Sequence, residues 1–356
     1  SPATPFTTSS SAPTLTINAL SNTGGSMTSV AIGANGNPVV AYEHGSNRTL
    51  NIAICSDPTC SSSTHNVIDA GGFNHPSVAI GINGNPIVSY TQGNQMSGLR
   101  VAACENQTCT SVVNTTIDEI GSTGKGTSIA IGNDGNPVIS YMDADCCTPT
   151  TPHLRVAKCS NPICTSSTHT SVDSESSNVG KFSSLILGTN GNPTISYLDV
   201  TNETLKVAIC GDPACASATL KTIGTGGGSP HEFDTTSIVI ADGKPVISYF
   251  VSTAAYAADG TLNVAACGDS ACSSSNITVI DSYGTNSTMT LDANGRPAIA
   301  YMDRTYANRH LKLARCLNTS CTSFELSVID SPNYGMGNGA GSRINSITKL
   351  PDGRLV

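Results

Sequence analysis

The sequence predicts an all-β fold, a seven-bladed β-propeller of four-stranded antiparallel blades, and three observations carry that prediction. First, one unit recurs six times: an apolar strand, Asn/Asp-Gly-x-Pro, Val/Ile-x-Ser/Ala-Tyr, then Leu-x-Val-Ala-x-Cys-x4-Cys. Its turn prolines, Pro38, Pro86, Pro137, Pro193, Pro245 and Pro297, lie 48, 51, 56, 52 and 52 residues apart. A self-similar unit of that length, built only of strand and turn signals, belongs to a radial array. Second, only 12% of the 356 residues are charged, while Gly and Pro number 34 and 18. A disordered chain of such polarity carries more charge and fewer β-branched residues. Third, the chain ends inside a repeat and begins with segments that complete one.

The elements follow in order. Residues 1–25 form an N-terminal arm with closing strands: Thr14-Leu-Thr-Ile-Asn18 aligns with Thr64-His-Asn-Val-Ile-Asp69 as a fourth strand, and Thr4-Pro-Phe-Thr-Thr8 is available as a third. Residues 26–330 hold six full blades. In 77–118, Ser77-Val-Ala-Ile-Gly81 is the first strand and Asn83-Gly84 a turn in which both residues tolerate positive φ. Pro86 opens the second strand, where a missing N–H costs least. Leu99, Val101 and Ala103 alternate with Arg100, Ala102 and Cys104 along the third. Glu105 to Thr108 turn the chain, Cys109 locks the tip, and Val112 to Asp118 is the fourth. Residues 331–356 repeat the first-strand and turn pattern and stop in the second strand, a C-terminal half-blade. A seventh blade assembled from both termini closes the ring and removes exposed edges. Alternatively, the half-blade pairs with a neighbouring molecule's N-terminal strand. The whole chain, 1–356, reads as one domain.

Cysteine spacing addresses the compartment. Twelve of 14 cysteines form six Cys-x4-Cys pairs: Cys55/Cys60, Cys104/Cys109, Cys159/Cys164, Cys210/Cys215, Cys267/Cys272 and Cys316/Cys321. A zinc site needs four ligands together, whereas each blade offers one separated pair, so disulfides are expected. Such bonds persist in an oxidising space, extracellular or at the cell surface. Cys146 and Cys147 stand outside the pattern, with a vicinal disulfide or an intermolecular link as alternatives. Seven Asn-x-Ser/Thr sequons, at Asn47, Asn106, Asn114, Asn202, Asn276, Asn286 and Asn318, fit that setting as glycosylation sites. A chain opening at Ser1 without Met reads as a processed product.

Candidate functional residues are few. Six equivalent tyrosines (Tyr42, Tyr90, Tyr141, Tyr197, Tyr249 and Tyr301) read as repeated packing. Asp143, Asp199 and Asp303 follow two residues later as loop caps or inward cation ligands. Asp69, Asp118, Asp173, Asp281 and Asp330 recur on fourth strands and are expected to bond to the inter-blade turn. Phe73, Phe182, Phe233, Tyr283 and Tyr334 occupy the crossovers, either as a ligand rim that stacks on sugars or as plugs between blades. Scattered histidines, with no H-E-x-x-H spacing and no G-x-S-x-G elbow, point to no catalytic residue, metal ligand or cofactor. A net charge of −8 without basic runs argues against nucleic acid, and no apolar stretch is long enough for a membrane-inserted helix.

The segments Asp134-Gly-Asn-Pro-Val-Ile-Ser-Tyr-Met-Asp143 and Leu205-Lys-Val-Ala-Ile-Cys210 resemble those of uncharacterised secreted microbial propeller proteins. That resemblance, over about residues 26–356, implies seven blades and no enzymatic activity. The turns also show a fainter similarity to the Asp-box repeats of sialidases, Ser-x-Asp-x-Gly-x-Thr-Trp. Here the Trp is missing and the turn joins first to second strand rather than third to fourth. The expected function is a secreted, disulfide-stabilised, N-glycosylated structural or adhesive surface protein, not an enzyme. As the subunit of an extracellular filament it would self-associate as a homopolymer. The alternatives are a lectin-like propeller binding surface glycans, then a sialidase-like glycoside hydrolase.

Overall fold

The structure, a computed structural model, describes residues 16–18, 20, 25–45, 47–71, 73–92, 98–119, 126–143, 152–175, 178–225, 235–252, 260–303, 310–330 and 346–356. These residues contain six four-stranded sheets, each with its strands in sequence order and antiparallel. The blades occupy 25–70, 73–118, 128–173, 179–225, 236–282 and 284–330. In the fourth blade the strands are Val179–Leu187, Pro193–Asp199, Thr204–Cys210 and Ala218–Thr225.

Burial explains the repeat. Every residue of Pro193–Asp199 is buried, because a second strand is sandwiched between the neighbouring blades on both faces. Hence its side chains are apolar, or small and hydrogen-bonded, in either phase. The core lies between blades rather than within them. Ile87, Leu99 and Val101 of the second blade meet Ile139, Tyr141 and Ala157 of the third in one cluster, and analogous clusters span the other four seams between consecutive blades. Fourth strands lie at the outer edge and expose Val67, Val279 and Val328.

The blade count corrects the sequence expectation: among the described residues there are six four-stranded blades, not seven. Residues 346–356 make only a hairpin, in which Thr348 and Val356 exchange N–H···O bonds of 2.8 and 2.9 Å beside a single bridge, Lys349 to Leu355. The reason is visible in the segment itself, which holds no Leu-x-Val-Ala-x-Cys strand and therefore supplies no third or fourth member. Residues 1–15, expected to complete it, lie outside the described residues. Even so, the hairpin fills the slot between the sixth and first blades. Leu350 is buried, Pro351 and Gly353 approach the turns at Gly36 and Ala293, and Lys349 Nζ donates to the Asp292 carbonyl at 3.4 Å.

All six Cys-x4-Cys pairs are disulfides with Cα–Cα separations of 4.8 or 4.9 Å. The tip has the expected shape, with Glu105 to Thr108 turning the chain and Cys109 locking it. The structure adds that the second cysteine of each pair lies in the left-handed region. Its φ is 53° at Cys60, 55° at Cys109, 55° at Cys164, 55° at Cys215, 48° at Cys272 and 54° at Cys321. The cause is the backbone bond that closes each turn. The amides of Cys60, Cys109, Cys164, Cys215, Cys272 and Cys321 donate at 3.0–3.2 Å to the carbonyls of Asp57, Asn106, Asn161, Asp212, Asp269 and Asn318. A turn followed by one left-handed residue is a common way to bring a short hairpin loop back into register. Each tip is also capped by the side chain two residues after the first cysteine. Asp212 Oδ1 accepts from the amides of Ala214 and Ala216, and Asn318 Oδ1 accepts from that of Thr322. Cys146 and Cys147 fall outside the described residues.

Candidate functional site: the variable face and the axial cavity

Up-and-down connectivity sends the first-to-second-strand turns and the disulfide tips to one face of the disc. The second-to-third-strand loops and the inter-blade crossovers go to the other. The two faces differ in variability. The fourth strand starts eight residues after the first cysteine of the pair in every blade. On the opposite face, the loop from tyrosine to the third-strand leucine runs from 8 residues (Tyr42 to Leu50) to 13 (Tyr141 to Leu154). Length variation of the repeat is therefore concentrated on one face, while the other departs from uniformity only in the fifth blade's first turn, where Ala241 pairs directly with Lys244. Loops on a rigid scaffold are where recognition is built.

Near the variable face four seams carry a clamp. The tyrosine hydroxyl of one blade donates to the fourth-strand aspartate of the blade before: Tyr90 to Asp69 (2.6 Å), Tyr141 to Asp118 (2.6 Å), Tyr197 to Asp173 (2.7 Å) and Tyr301 to Asp281 (2.7 Å). A third-strand cation joins the same carboxylate, Arg100 at 2.7 Å, Arg155 at 3.0 Å and Lys312 at 2.9 Å, with Lys206 bonded to Asp173. The expected bond to the inter-blade turn is present at Asp173, which accepts the Glu175 amide at 3.1 Å, and all four aspartates also pair with the side chains of the next blade. Desolvation, reinforced by the adjacent carboxylate, raises the phenol pKa of Tyr90, Tyr141, Tyr197 and Tyr301 well above its ordinary value. The seam before the fifth blade lacks the device. Gly224 replaces the aspartate, Asn263 the cation, and burial alone pushes Tyr249 up to about 12. Of the later aspartates, Asp143 pairs with Arg155 and Asp303 with Lys312, both at 2.8 Å. Asp199 caps the Asn202 amide at 3.0 Å.

The axis of the disc holds a cavity of about 210 Å3. Its wall is made by the first strands and repeats from blade to blade. A bulge places one residue at positive φ, Met27, His75, Gly126 and Phe182 in turn, all of which line the cavity. Two residues on, a serine hydroxyl accepts the N–H of the next first strand. Ser29 takes it from Val78, Ser77 from Ile129, Ser128 from Leu185, Ser184 from Ile238 and Ser237 from Met289, at 2.9–3.3 Å. Ser346 of the hairpin takes the N–H of Val30 at 3.1 Å and so ties the hairpin to the first blade. Behind this ring, the serine of the Ile-Ser-Tyr motif is pinned to the following blade. Ser89–Thr127, Ser140–Ser183, Ser196–Thr236 and Ser248–Ser287 hydroxyls are each 2.9 Å apart. Sequence reading missed both serine roles. The signal was available at the first seam, where Ala41 and Pro76 give up their hydroxyls together.

The aromatic rim is only partly a surface. Phe182 is buried, 4% exposed. Its ring crosses Gly126, where a side chain would collide with the Phe182 backbone, and meets His75 edge-on at 5.7 Å. It is a plug at the axis, not an open stacking platform. Tyr283, 38% exposed, does reach the surface. Phe233 and Tyr334, and the side chain of Phe73, lie outside the described residues. Among the sequons, Asn47, Asn114, Asn202 and Asn276 are exposed, and Asn106 and Asn318 are half-buried in the tips. Asn286 is corrected as a glycosylation candidate, because it is 4% exposed at a cavity-wall bulge. Among the described residues no cluster of His, Cys, Asp or Glu is arranged to hold a metal.

No protein-family model matches the chain, and no curated protein matches it in sequence. Solved structures do match in fold. Hydrazine synthase of Kuenenia stuttgartiensis superposes with a TM-score of 0.59 at 11% identity, covering 95% of this chain and 93% of that one. A protein of unknown function from Dyadobacter fermentans gives 0.56 at 12%, covering 81% and 93%. The NanB sialidase of Streptococcus pneumoniae gives 0.52 at 11%, covering 96% and 66%. At these identities the likeness is one of propeller architecture, and the activities of those proteins are not carried over.

Proposed function

We propose that this chain is a secreted, disulfide-stabilised propeller acting through contact, a structural or adhesive surface protein whose variable face meets its partners. The observation that carries the reading is the segregation of the two faces. Six alike disulfide-closed tips stiffen one, and the loop-length variation is placed on the other. Tips locked by disulfides and seams locked by buried clamps suit a body that must survive outside the cell. The partners in this reading are further copies of the chain, forming a filament, or surface glycans, and no reaction is assigned. Tyr283, exposed on the crossover between the fifth and sixth blades, favours glycans as a second reading.

Electron microscopy of the full chain, purified under oxidising conditions, tests the first reading alongside a glycan array. Filaments or sheets that disassemble when loops of the variable face are shortened support it. Array binding lost in Tyr283→Ala, without assembly, supports the second. Turnover of a sialoside or polysaccharide overturns both.

A further inference from the structure

We propose that the axial cavity is a binding site for one small neutral polyol, a single sugar residue, gripped by the serine ring rather than by the rim. The argument starts from hydrogen-bond direction. In each of Ser29, Ser77, Ser128, Ser184, Ser237 and Ser346 the oxygen is already an acceptor, for the backbone N–H of the neighbouring strand. An N–H can only donate, so each hydroxyl keeps its own proton to give, together with a second lone pair. All six serines line one cavity. Its wall therefore presents several O–H groups, each able to donate once and accept once more, at the centre of the disc.

The remaining wall selects among ligands. Among the described residues no carboxylate, lysine or arginine lines the cavity, and His75 is the one titratable member. A charged ligand would be desolvated there without a counter-charge. Met27, Pro76, Phe182, Met289 and Ile347 add apolar surface between the hydroxyls. Alternating hydroxyl and C–H surface is the chemistry of a polyol, whose groups also donate once and accept more than once. The volume corresponds to about seven waters, room for one sugar ring. The bulge residues add a further sign. Met27, His75 and Phe182 hold positive φ of 52°, 52° and 51° on the cavity wall, the kind of sparsely populated conformation that tends to collect at ligand sites. This inference stands apart from the contact function proposed above, which uses the loops and not the axis.

The test uses the oxidised full chain. Glucose, galactose, mannose, N-acetylglucosamine and sorbitol are titrated by calorimetry and soaked into crystals, with sodium bromide as an anionic probe. The expected result is saturable binding of at least one polyol, with its density on the axis. The discriminating variant is Ser77→Thr/Ser184→Thr. Threonine keeps the oxygen that accepts the N–H, as Thr288 of the sixth blade shows a threonine can be housed in this tier, while its methyl group narrows the cavity. Polyol affinity should fall by about tenfold or more with the melting temperature unchanged. The proposal is overturned if no polyol binds, or if bromide alone occupies the axis. It also fails if the threonine variant binds as the wild type does, or if Tyr283→Ala abolishes binding, which would place the sugar on the rim.

Discussion

Removing the Asp173 carboxylate tests the clamp where it is driest. The Asp173 side chain is fully buried and Lys206 is 9% exposed, and Tyr197 donates to the same oxygen at 2.7 Å. In Asp173→Ala the lysine is left as an uncompensated buried cation and the phenol loses its acceptor. Breaking a buried pair from one side costs about 3–5 kcal/mol, which contains the loss of the hydroxyl partner. With an unfolding entropy of about 0.7 kcal/mol per kelvin for a chain of this size, a loss of about 4 kcal/mol lowers the melting temperature by about 5 °C. Asp173→Leu/Lys206→Met should recover most of that, because no charge remains stranded. Asp69→Ala is the comparison. Asp69 and Arg100 are 14% and 18% exposed, water reaches the abandoned arginine, and the loss should be about half as large. Differential scanning calorimetry of the four proteins decides. Equal shifts for Asp173→Ala and Asp69→Ala, or no recovery in the double variant, would refute the view that burial of the pair sets its importance.

Replacing Cys210 and Cys215 by alanine should cost about 2 kcal/mol from loop entropy. Because Cys215 sits at a φ of 55°, Cys210→Ala/Cys215→Gly should regain about 1 kcal/mol over the double alanine in a denaturant titration. The seam before the fifth blade, with Gly224 in place of an aspartate, should open first. In native-state hydrogen exchange the amides of Ala218–Thr225 should exchange faster than those of Ser167–Asp173, and equal rates would contradict this. Stability should fall with acid in two stages. Burial lowers the pKa of His169, so the unfolded chain takes up its proton first, and stability declines as pH drops below about 6.5. Asp173 is lowered too, its hydrogen bonds from Lys206 and Tyr197 outweighing the desolvation that raises it. Its contribution is present above about pH 4 and is lost below. His169→Gln should remove the first stage and leave the second, read as melting temperature against pH. Expressed in a glycosylating host, Asn286 should remain unmodified while Asn47 and Asn276 carry glycan, as read by peptide mass spectrometry.

Local chemistry made much of this architecture legible. Asn83-Gly84 and Pro86 announce their turn, and the period-two pattern of Leu99, Val101 and Ala103 announces its strand. The spacing from Cys104 to Cys109 fits a hairpin tip whatever surrounds it. That spacing says which sulfurs meet, but not that Cys60, Cys109, Cys164, Cys215, Cys272 and Cys321 take the left-handed position, where glycine or asparagine is the expected residue. Blade number was not legible, because it depends on how the ends meet, and Ser346 to Val356 carry the start of a unit without the strands that would extend it. The functional surface was legible only in outline. Phe182 on a crossover looks the same in sequence whether it faces solvent or leans across Gly126 to meet His75. Asp173 and Lys206 lie 33 residues apart on different blades, so neither announces its partner. The ring serines were hidden because a serine in a strand carries no mark of which neighbouring N–H it will accept.

The blade-to-blade hand-off of an N–H to a serine has a consequence for how such a chain can change length. Each repeat carries both halves of the fastener on its first strand, as the Ser77 hydroxyl and the Val78 N–H do in the second blade, so this link needs no new residues where one such unit follows another. Duplicating or deleting a whole unit leaves this link intact, though not the side-chain pairs matched to one seam, such as Ala41 with Pro76. What such an event also strains is the curvature of the circle, and that strain falls on the one junction not made by two full repeats, where the terminal hairpin meets the first strand at Val30. The hairpin thus serves as a gasket, and a disc that gained or lost a sector would have to refit the segment from Ser346 to Val356.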